Sequence, residues 1–332
     1  MNTKTNLAFV TGGYSGEAQI SYRSAVQIQQ NLDTEKYNVY RIDVRRDGWY
    51  YQPNNDTTGE VEVNKNDFSV LANGVHTKFD VVLIGIHGTP GEDGKLQGYF
   101  DMLGIPYTGC NASTSAITFN KRYTTAVAGA SGIHVAKSLL FFKHDTVNTI
   151  LTAAKLQFPL FVKPNNGGSS IGMSKIKAEN ELLVAVAKAF EEDNQVLVEE
   201  YISGREFTIG VYKHNHEIIA LPITEAISEN YFFDFEAKYQ GKSSEITPAV
   251  IPDAQATQLA DTAKKLYSLF NCGGVIRIDF IYNDANQQPY MLEINTIPGQ
   301  SEQSVVPQQV RASGGNLKDF YTALIQQALS KA

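Results

Sequence analysis

The sequence predicts an α/β chain that becomes α+β in its C-terminal half, and three stretches carry that expectation. Leu7–Thr11 is a short apolar strand running into the turn Gly12-Gly13-Tyr14-Ser15-Gly16-Glu17, then a helix, then a strand at Tyr37–Val44. Such a β–turn–α–β order opens a doubly wound parallel sheet. Asp80–Ile86 (DVVLIGI) is an almost unbroken apolar run, as a parallel strand buried on both faces requires. Val275–Gly299 reads instead as an antiparallel hairpin. Ile276, Ile278, Phe280 and Tyr282 alternate with Arg277, Asp279 and Ile281. Asn283–Gln288 is a polar turn. Tyr290, Leu292 and Ile294 then alternate with Met291, Glu293 and Asn295.

The whole chain bounds these expectations. Its 332 residues exceed one compact core and suit two or three domains. A net charge of −7 without a long basic run argues against a nucleic-acid or anionic-membrane surface. Met1–Phe9 lacks the apolar segment of a signal peptide, and no apolar run approaches membrane-spanning length, so the expected location is the cytoplasm. The two cysteines, Cys110 and Cys272, fit buried thiols of a reducing compartment better than a disulfide framework or a metal site.

The hairpin also holds the strongest chemical signal. Folded symmetrically about Asn286, it sets Asp279 opposite Glu293 and Arg277 opposite Asn295. Neighbouring buried carboxylates repel unless something positive lies between them. A hard divalent cation with oxygen ligands meets that need, most often Mg2+ with nucleotide phosphates. Two acids alone fit a solvated acidic face equally well. Arg277, the Asn295 amide and the Thr-Ile-Pro-Gly turn that follows favour a site.

Along the rest of the chain, Ile20, Ser24, Ala25, Ile28 and Leu32 form the stripe of the first helix. The glycines before it do not make G-x-G-x-x-G, which weakens a nicotinamide reading. Glu17 either complements the helix dipole or faces the crevice above the strand ends. His87-Gly88-Thr89-Pro90-Gly91-Glu92-Asp93-Gly94 ends the apolar run in a second polar loop, which makes His87 a turn residue or a crevice residue. Lys95–Leu103 reads as a helix, Ile105–Thr108 as a short strand, and Gly109-Cys110-Asn111 as the end of a first domain. Ser113 is expected to cap one helix running through Lys121 to Ala128, broken by Ser131-Gly132. His134–Lys137 starts a strand, Asn148–Leu156 reads as a helix and Pro159–Lys163 as a strand. The loop Pro164–Met173 then leads into a strand at Ser174–Lys177. This loop is not a Walker P-loop, yet its Gly and Ser residues leave backbone N–H groups free to approach phosphates, with Lys163 as a cation beside them. The bland reading of the same loop is a flexible surface hairpin.

Ala178–Glu191 is an amphipathic helix with Leu182, Leu183, Val186 and Phe190 expected inward. Gln195–Glu200 is a strand ending on two acids. With Glu206 it suits an adenine edge and a ribose, or equally a solvated turn. Glu206–Tyr212 and Glu217–Pro222 are strands. Thr224–Thr247 has no clear period but holds Tyr231, Phe232, Phe233, Phe235 and Tyr239 beside Asp234, Glu236 and Lys238. It reads as a functional lid or as a loop packed by its own aromatics. Helices follow at Asp253–Asn271, Ser301–Arg311 and Leu317–Leu329.

Nine stretches, in order, give the chain a family resemblance: GGYSGEAQIS at 12–21, HGTPGEDGKLQG at 87–98, PYTG at 106–109, NK at 120–121, FVKPNNGGSSIGMSK at 161–175, VEEYISGREFT at 198–208, FDFEAKY at 233–239, RIDF at 277–280 and LEINTIPG at 292–299. Together they resemble the D-alanine–D-alanine ligases of the ATP-grasp superfamily over nearly the whole length. The resemblance implies an ATP-grasp fold with a Rossmann-like N-terminal domain (1–110), a small central domain with a glycine-rich lid (111–198) and an antiparallel C-terminal domain (199–332). It implies ATP-dependent joining of two D-alanine molecules for peptidoglycan, through an acyl phosphate and a tetrahedral intermediate, by a cytoplasmic homodimer.

The site residues it implies are these. Lys121 and Lys163 would hold ATP phosphates under a lid including Ser169 and Ser170. Glu199, Glu200, Tyr201 and Ile202 would line the adenine edge, Glu206 the ribose, Leu292 would contact ATP, and Phe232 would help close the pocket. Asp279, Glu293 and Asn295 would carry two Mg2+ ions, with Mn2+ able to substitute. Glu17 would bind the first D-alanine's ammonium beside His87, in a network with Ser169 and Tyr239. Arg277 and the Gly299 N–H would stabilise the oxyanion, and Lys238 and Ser304 would take the second substrate's carboxylate. Lys238 would also border the nucleotide. Glu200 departs from the lysine of many relatives, and Gln300-Ser301 from the more usual Met-Thr. Tyr239, where D-lactate-using members have a different loop with a histidine, argues for an amine acceptor over the D-alanine–D-lactate reading. A D-serine acceptor stays open. A non-catalytic ATP-binding protein on the same fold would have no need of Arg277, Asp279, Glu293 and Asn295 together.

Overall fold

A computed structural model describes residues 4–149, 152, 155–167, 171–228 and 243–330. The first 84 residues supply strands β1 (Thr5–Gly12), β2 (Tyr37–Val44), β3 (Trp49–Tyr51), β4 (Val61–Glu62), β5 (Ser69–Ala72), β6 (Val75–Lys78) and β7 (Val81–Ile84), with helix α1 (Ala18–Gln30) after β1. Helices α2 (Lys95–Leu103), α3 (Ala112–Phe119) and α4 (Lys121–Ala130) follow. Next come β8 (Ser138–Phe142), β9 (Leu160–Pro164), β10 (Ser174–Ile176), α5 (Leu182–Phe190) and β11 (Gln195–Glu200). The last part holds β12 (Arg205–His214), β13 (Glu217–Ala220), β14 (Thr224–Ser228), β15 (Ser243–Ile246), α6 (Asp253–Leu269), β16 (Val275–Asn283), β17 (Gln288–Asn295), α7 (Val305–Ala312) and α8 (Leu317–Leu329).

The first sheet has the order β4-β3-β2-β1-β7, with β2, β1 and β7 parallel. Alternation along β1 and β7 divides their side chains between two cores. Leu7, Phe9, Val81 and Leu83 meet Ala25 and Ile28 of α1 and Tyr321, Leu324 and Ile325 of α8. Ala8, Val10, Val82 and Ile84 meet Phe68 and, from α2, Leu96 and Phe100. Both faces are covered, as the apolar run requires. Leu221, Val306 and Val310 also enter the first core, so the C-terminal helices roof the N-terminal sheet.

The second sheet, β10-β9-β11-β8, is antiparallel. It is backed by α5 through Leu182, Ala185, Val186 and Ala189. The third sheet runs β15-β14-β12-β16-β17, with β13 also paired to β12, and is antiparallel throughout. Leu259, Ala263, Leu266 and Tyr267 of α6 cover one face, against Phe207, Ile209, Ile276, Ile278 and Phe280. The other face is free to carry polar groups.

Several sequence expectations are corrected. Ser113 caps nothing: Asn111 caps α3 by accepting from Thr114 N, and Asn120, extended at φ −92° and ψ 107°, ends that helix and caps α4 through Tyr123 N. The expected single helix is two because Asn competes with the backbone for helix hydrogen bonds. Ile105–Thr108 forms only a bridge, Val82 with Tyr107, because Pro106 has no N–H for a ladder. His134 makes one bridge to Tyr290, and the strand expected there begins at Ser138. Leu183 is 54% exposed, since the helix proper starts at Leu182 after the 3-10 turn Glu179–Glu181, which rotates the apolar stripe. The expected 301–311 helix begins at Val305. The two ends of 224–247 pair as β14 and β15. Strands β3–β6 were not read from the sequence, although Asn73-Gly74, both at positive φ, marks the β5–β6 hairpin.

Cys110 and Cys272 are thiols outside any disulfide, and that of Cys272 is pushed up by its hydrogen bond with Cys110 and by burial. Among the described residues no helix is long and apolar enough to cross a membrane.

One buried amide ties α7 to the third sheet. Between the stretches of β12 paired by β14 and by β13, Gln309 takes the place of a strand. Its Oε1 accepts from Gly210 N at 2.9 Å, and its Nε2 donates to Thr208 O at 2.9 Å and to Thr224 Oγ1 at 3.0 Å. Replacing Gln309 with Leu strands a buried backbone donor and acceptor. The expected loss is about 2–5 kcal/mol of unfolding free energy in urea titration. A loss below roughly 0.5 kcal/mol would show that the amide is dispensable.

Candidate functional site

The hairpin pairs as the sequence predicts at its chemical end: Arg277 opposes Asn295, and Asp279 opposes Glu293. Beyond that the register shifts, and Phe280 opposes Met291, leaving Leu292 as a bulge. The expectation that Met291 shares a face with Glu293 and Asn295 is therefore corrected. The extra residue turns Met291 into the core with Ile294. It also lets the carboxylate patch lie on the face opposite α6.

Every oxygen of Asp279 is engaged. Arg277 donates through Nε at 2.9 Å and Nη2 at 2.8 Å, Asn295 Nδ2 donates at 3.3 Å, and Thr208 donates its hydroxyl. Burial alone would loosen the Arg277 proton, but Asp279, followed by Glu293, outweighs it and raises the guanidinium pKa. Lys121 Nζ lies 3.5 Å from Glu293 Oε2, and Arg277 Nη2 lies 3.9 Å from Glu293 Oε1. Two facing acids thus sit among two cations, the balance their mutual repulsion demands. Asp279, Glu293 and Asn295 form a set of hard oxygen donors suited to Mg2+ or Mn2+. Among the described residues no three His, Cys, Asp or Glu side chains cluster as metal ligands, so the Asn295 amide is needed to complete the set.

This patch forms one wall of a cleft of about 640 Å3 that opens to solvent. Glu17, at the N-terminal end of α1, and His87, after β7, come from the first sheet. Lys121 starts α4, Glu206 lies on β12, and Gly299 and Ser304 follow β17. The turn is tight: a Cβ on Gly299 would lie 2.8 Å from Ser304 Oγ, which itself accepts from Ser301 N at 3.0 Å. Lys121 Nζ also donates to Gly167 O at 2.6 Å, which draws the glycine loop to the cleft rim.

The remaining expected residues divide into two groups. Lys163 and Glu199 meet diagonally across β9 and β11 at 2.5 Å on the second sheet, and neither lines the cleft described above. Glu200 Oε1 accepts from Gln157 N at 3.1 Å, and Lys175 Nζ stands 3.6 Å over the Tyr201 ring, with Ile202 next in the chain. Leu292 is partly buried at the bulge. Ser169, Ser170, Phe232, Lys238 and Tyr239 lie outside the described residues.

Sequence reasoning passed over Thr208, Ser24 and Glu92. Thr208 is found only through strand pairing, since β12 sets it opposite Asp279. Ser24 looked like helix stripe, yet its Oγ lies 3.0 Å from His87 Nε2 and accepts from Gln300 N at 3.1 Å. Glu92 sat in a loop already singled out for its place at a strand's carboxyl end, which was the available signal.

The electrostatics of His87 and Glu92 oppose each other. Burial, with a smaller push from Arg277, lowers the His87 pKa to about 4, despite a hydrogen bond to the Ile297 backbone. Burial first, and repulsion by Glu17 second, raises Glu92 to about 7. Neutral His87 contributes stability that is present above its ordinary 6.5 and lost as pH falls toward 4. Protonated Glu92 contributes stability that is present below its ordinary 4.5 and lost as pH rises through 7. Each contribution reaches up to about 3 kcal/mol. Between them the two slopes nearly cancel in the native protein. In His87→Gln, unfolding free energy should fall as pH rises through the window; in Glu92→Gln it should rise. Urea titrations across pH read both, and slopes of the same sign in the two variants would overturn the assignment.

Comparison with known proteins matches this geometry. Residues 6–110 match the family described as D-ala D-ala ligase N-terminus, and residues 127–326 match D-ala D-ala ligase C-terminus. The D-alanine--D-alanine ligase of Flavobacterium johnsoniae is 45% identical over 325 residues, covering 98% of this chain and 99% of that protein. Among solved structures, the VanG D-Ala:D-Ser ligase from Enterococcus faecalis superposes with a TM-score of 0.88 at 30% identity, covering 98% of this chain and 100% of that one. The Bacillus anthracis D-alanine--D-alanine ligase complexed with ATP superposes at 0.79 and 26% identity, with 98% of each chain covered. With three sheets of the ATP-grasp arrangement and family matches along nearly its whole length, the chain belongs to the D-alanine–D-alanine ligase family.

Proposed function

We propose that this chain joins two molecules of D-alanine into D-alanyl-D-alanine with conversion of ATP to ADP and phosphate, supplying the dipeptide for peptidoglycan precursors. The observation that carries this reading is the facing of Glu17 and the Arg277–Asp279–Glu293–Asn295 patch across one cleft, in a chain of this family. A carboxylate is a poor electrophile and must first be phosphorylated. Glu17 is suited to hold the first substrate's ammonium, with His87 neutral beside it. Lys121 and Lys163 are suited to the phosphates, with Glu199 to Ile202 toward the adenine edge, Glu206 toward the ribose and Leu292 in contact with ATP. Asp279, Glu293 and Asn295 would hold the metal, which when bound neutralises charge on the transferring phosphoryl group.

Attack by the second substrate's amine on the acyl phosphate develops an oxyanion. Arg277 and the Gly299 N–H are the donors proposed to stabilise it, and Ser304 is a partner for the acceptor's carboxylate. Arg277 is held by Asp279 in this structure, so sharing Asp279 with a metal would leave the guanidinium freer toward the substrate. Ser169, Ser170, Phe232, Lys238 and Tyr239 complete the proposal as lid and acceptor residues. We take residues 1–110, 111–198 and 199–332 as the three domains, a division that keeps the first and third sheets whole. The resemblance suggests a cytoplasmic homodimer acting on small molecules, and the net charge of −7 argues against a nucleic-acid or anionic-membrane partner.

A D-serine acceptor is the second reading, favoured by the likeness to a D-Ala:D-Ser ligase. Purified protein with ATP, Mg2+ and D-alanine should release phosphate and form the dipeptide, with D-serine and D-lactate competing weakly. Phosphate release that needs D-serine or D-lactate as acceptor would replace D-alanine in that role. Chelation should abolish turnover and Mn2+ should restore it. Glu293→Gln should lower kcat at least about 100-fold, the equivalent of about 3 kcal/mol. Its affinity for ATP, measured by calorimetry, should change far less. Turnover near that of the native protein would remove Glu293 from the metal set.

A further inference from the structure

The turn that carries Gly299 is clamped on both sides by residues of the N-terminal part of the chain, one in the loop after β7 and one on α1. On its N-terminal side, Ile297 N donates to Glu92 Oε1 at 3.2 Å, across 205 residues of sequence. On its C-terminal side, Gln300 N donates to Ser24 Oγ at 3.1 Å. His87 joins the clamps, since its ring hydrogen-bonds the Ile297 backbone and lies 3.0 Å from Ser24 Oγ.

The second oxygen of Glu92 leads to the other wall of the cleft. Glu92 Oε2 accepts from Gly88 N at 2.7 Å, and Glu92 N donates to Gly88 O at 2.8 Å. Gly88 has φ +67°, and a Cβ there would stand 2.5 Å from Glu17 Oε2. The loop therefore lies directly against the carboxylate proposed to hold the first substrate. Glu17, Gly88, Glu92, Ile297 and Gly299 form a continuous chain of contacts from the ammonium side of the cleft to the oxyanion side.

We propose that Glu92 is a positioning residue for the ligation step: its carboxylate fixes the distance between the Glu17 loop of the first sheet and the Gly299 turn of the third. The inference rests on the ligase reading, which makes Glu17 and Gly299 the two ends of the reacting group. Glu92 touches neither substrate nor metal in this role. A carboxyl accepting two backbone N–H groups from different sheets holds both more tightly than an amide, which has one acceptor oxygen and turns N–H against N–H at the other position. The high pKa of Glu92 is consistent with this place, because a partly protonated carboxyl can sit beside Glu17. A local staple of the 87–94 loop would need only the Gly88 contact. The Ile297 contact is what a purely local role does not explain.

Two readouts test the proposal in Glu92→Gln and Glu92→Asp. Hydrogen exchange of the ligand-free protein should show faster exchange at Gly88 and Ile297 in Glu92→Gln, by about tenfold or more, with 253–269 unchanged. In steady-state kinetics kcat should fall about 10- to 100-fold while the KM for ATP stays within about twofold. Glu92→Asp, which keeps the carboxylate, should recover part of both effects. Unchanged exchange at Ile297 would overturn the clamp. Loosened Ile297 with unchanged kcat would overturn the positioning role, as would loosening spread over the whole chain with kcat and KM impaired together. Absence of dipeptide synthesis by the unsubstituted protein would instead refute the ligase reading, and with it the positioning role; the exchange measurement would still judge the clamp.

Discussion

Two carboxylates face each other across β16 and β17, and much of the surrounding structure follows from making that pairing tolerable. Asp279 and Glu293 are cross-strand neighbours, where like charges are destabilising. The protein answers with a forked Arg277 contact on Asp279, a Thr208 hydroxyl from the next strand, and Lys121 brought from the start of α4. Each answer comes from a different element. The hairpin supplies Arg277, the β12 register supplies Thr208, and the Asn120 cap that splits two helices sets Lys121 at a helix start. An arrangement so charged is of little use to folding, since exchanging a buried ion cluster for apolar residues is often neutral or stabilising. In the proposed reaction it would offer hard oxygens and countercharge to a phosphorylated ligand.

The cleft exists because the third sheet has one apolar and one polar face. The α6 side is closed by aromatic and branched side chains, and the opposite side is left to Arg277, Asp279, Glu293 and Thr208. The C-terminal helices then cross to the first sheet, where α8 buries Tyr321, Leu324 and Ile325 against Leu7, Phe9 and Leu83. That shared core brings Glu17 and His87 over the hairpin. Gln309 on β12, buried, and Glu92 at Ile297, partly buried, are the polar counterparts of this union, with hydrogen bonds that cross between elements far apart in sequence.

Much of this was legible beforehand, unevenly and for physical reasons. Strands with strict alternation or continuous apolar runs, such as β2, β11 and β16, showed their bounds closely, because period-two patterning is a local property. Symmetric folding about Asn286 gave the pairing of Asp279 with Glu293, although the register at the turn would set Leu292 opposite Asp279 and only the bulge brings Glu293 there. The β3–β6 segment went unread because its strands have two to four residues, too few for periodicity. The single helix expected from Ser113 failed because hydrophobicity does not show which polar residue will turn its side chain back onto the backbone. The bulge at Leu292 was invisible in the alternation, which continues unbroken through it.

The sequence by itself determined the local chemistry: which strands are buried, where loops leave strand ends, and that two acids, an amide and a guanidinium share one hairpin. These depend on spacing along the chain, and spacing is complete in one dimension. Only the tertiary structure decided which of those groups meet. Lys121 reaches Glu293 while Lys163 turns to Glu199; Thr208 and Ser24 become partners of the site although nothing nearby in sequence marks them, and Glu92 does so from a loop whose position was its one signal. Their contacts bridge about 70 to 280 residues, and a contact of that length is set by how sheets and helices pack.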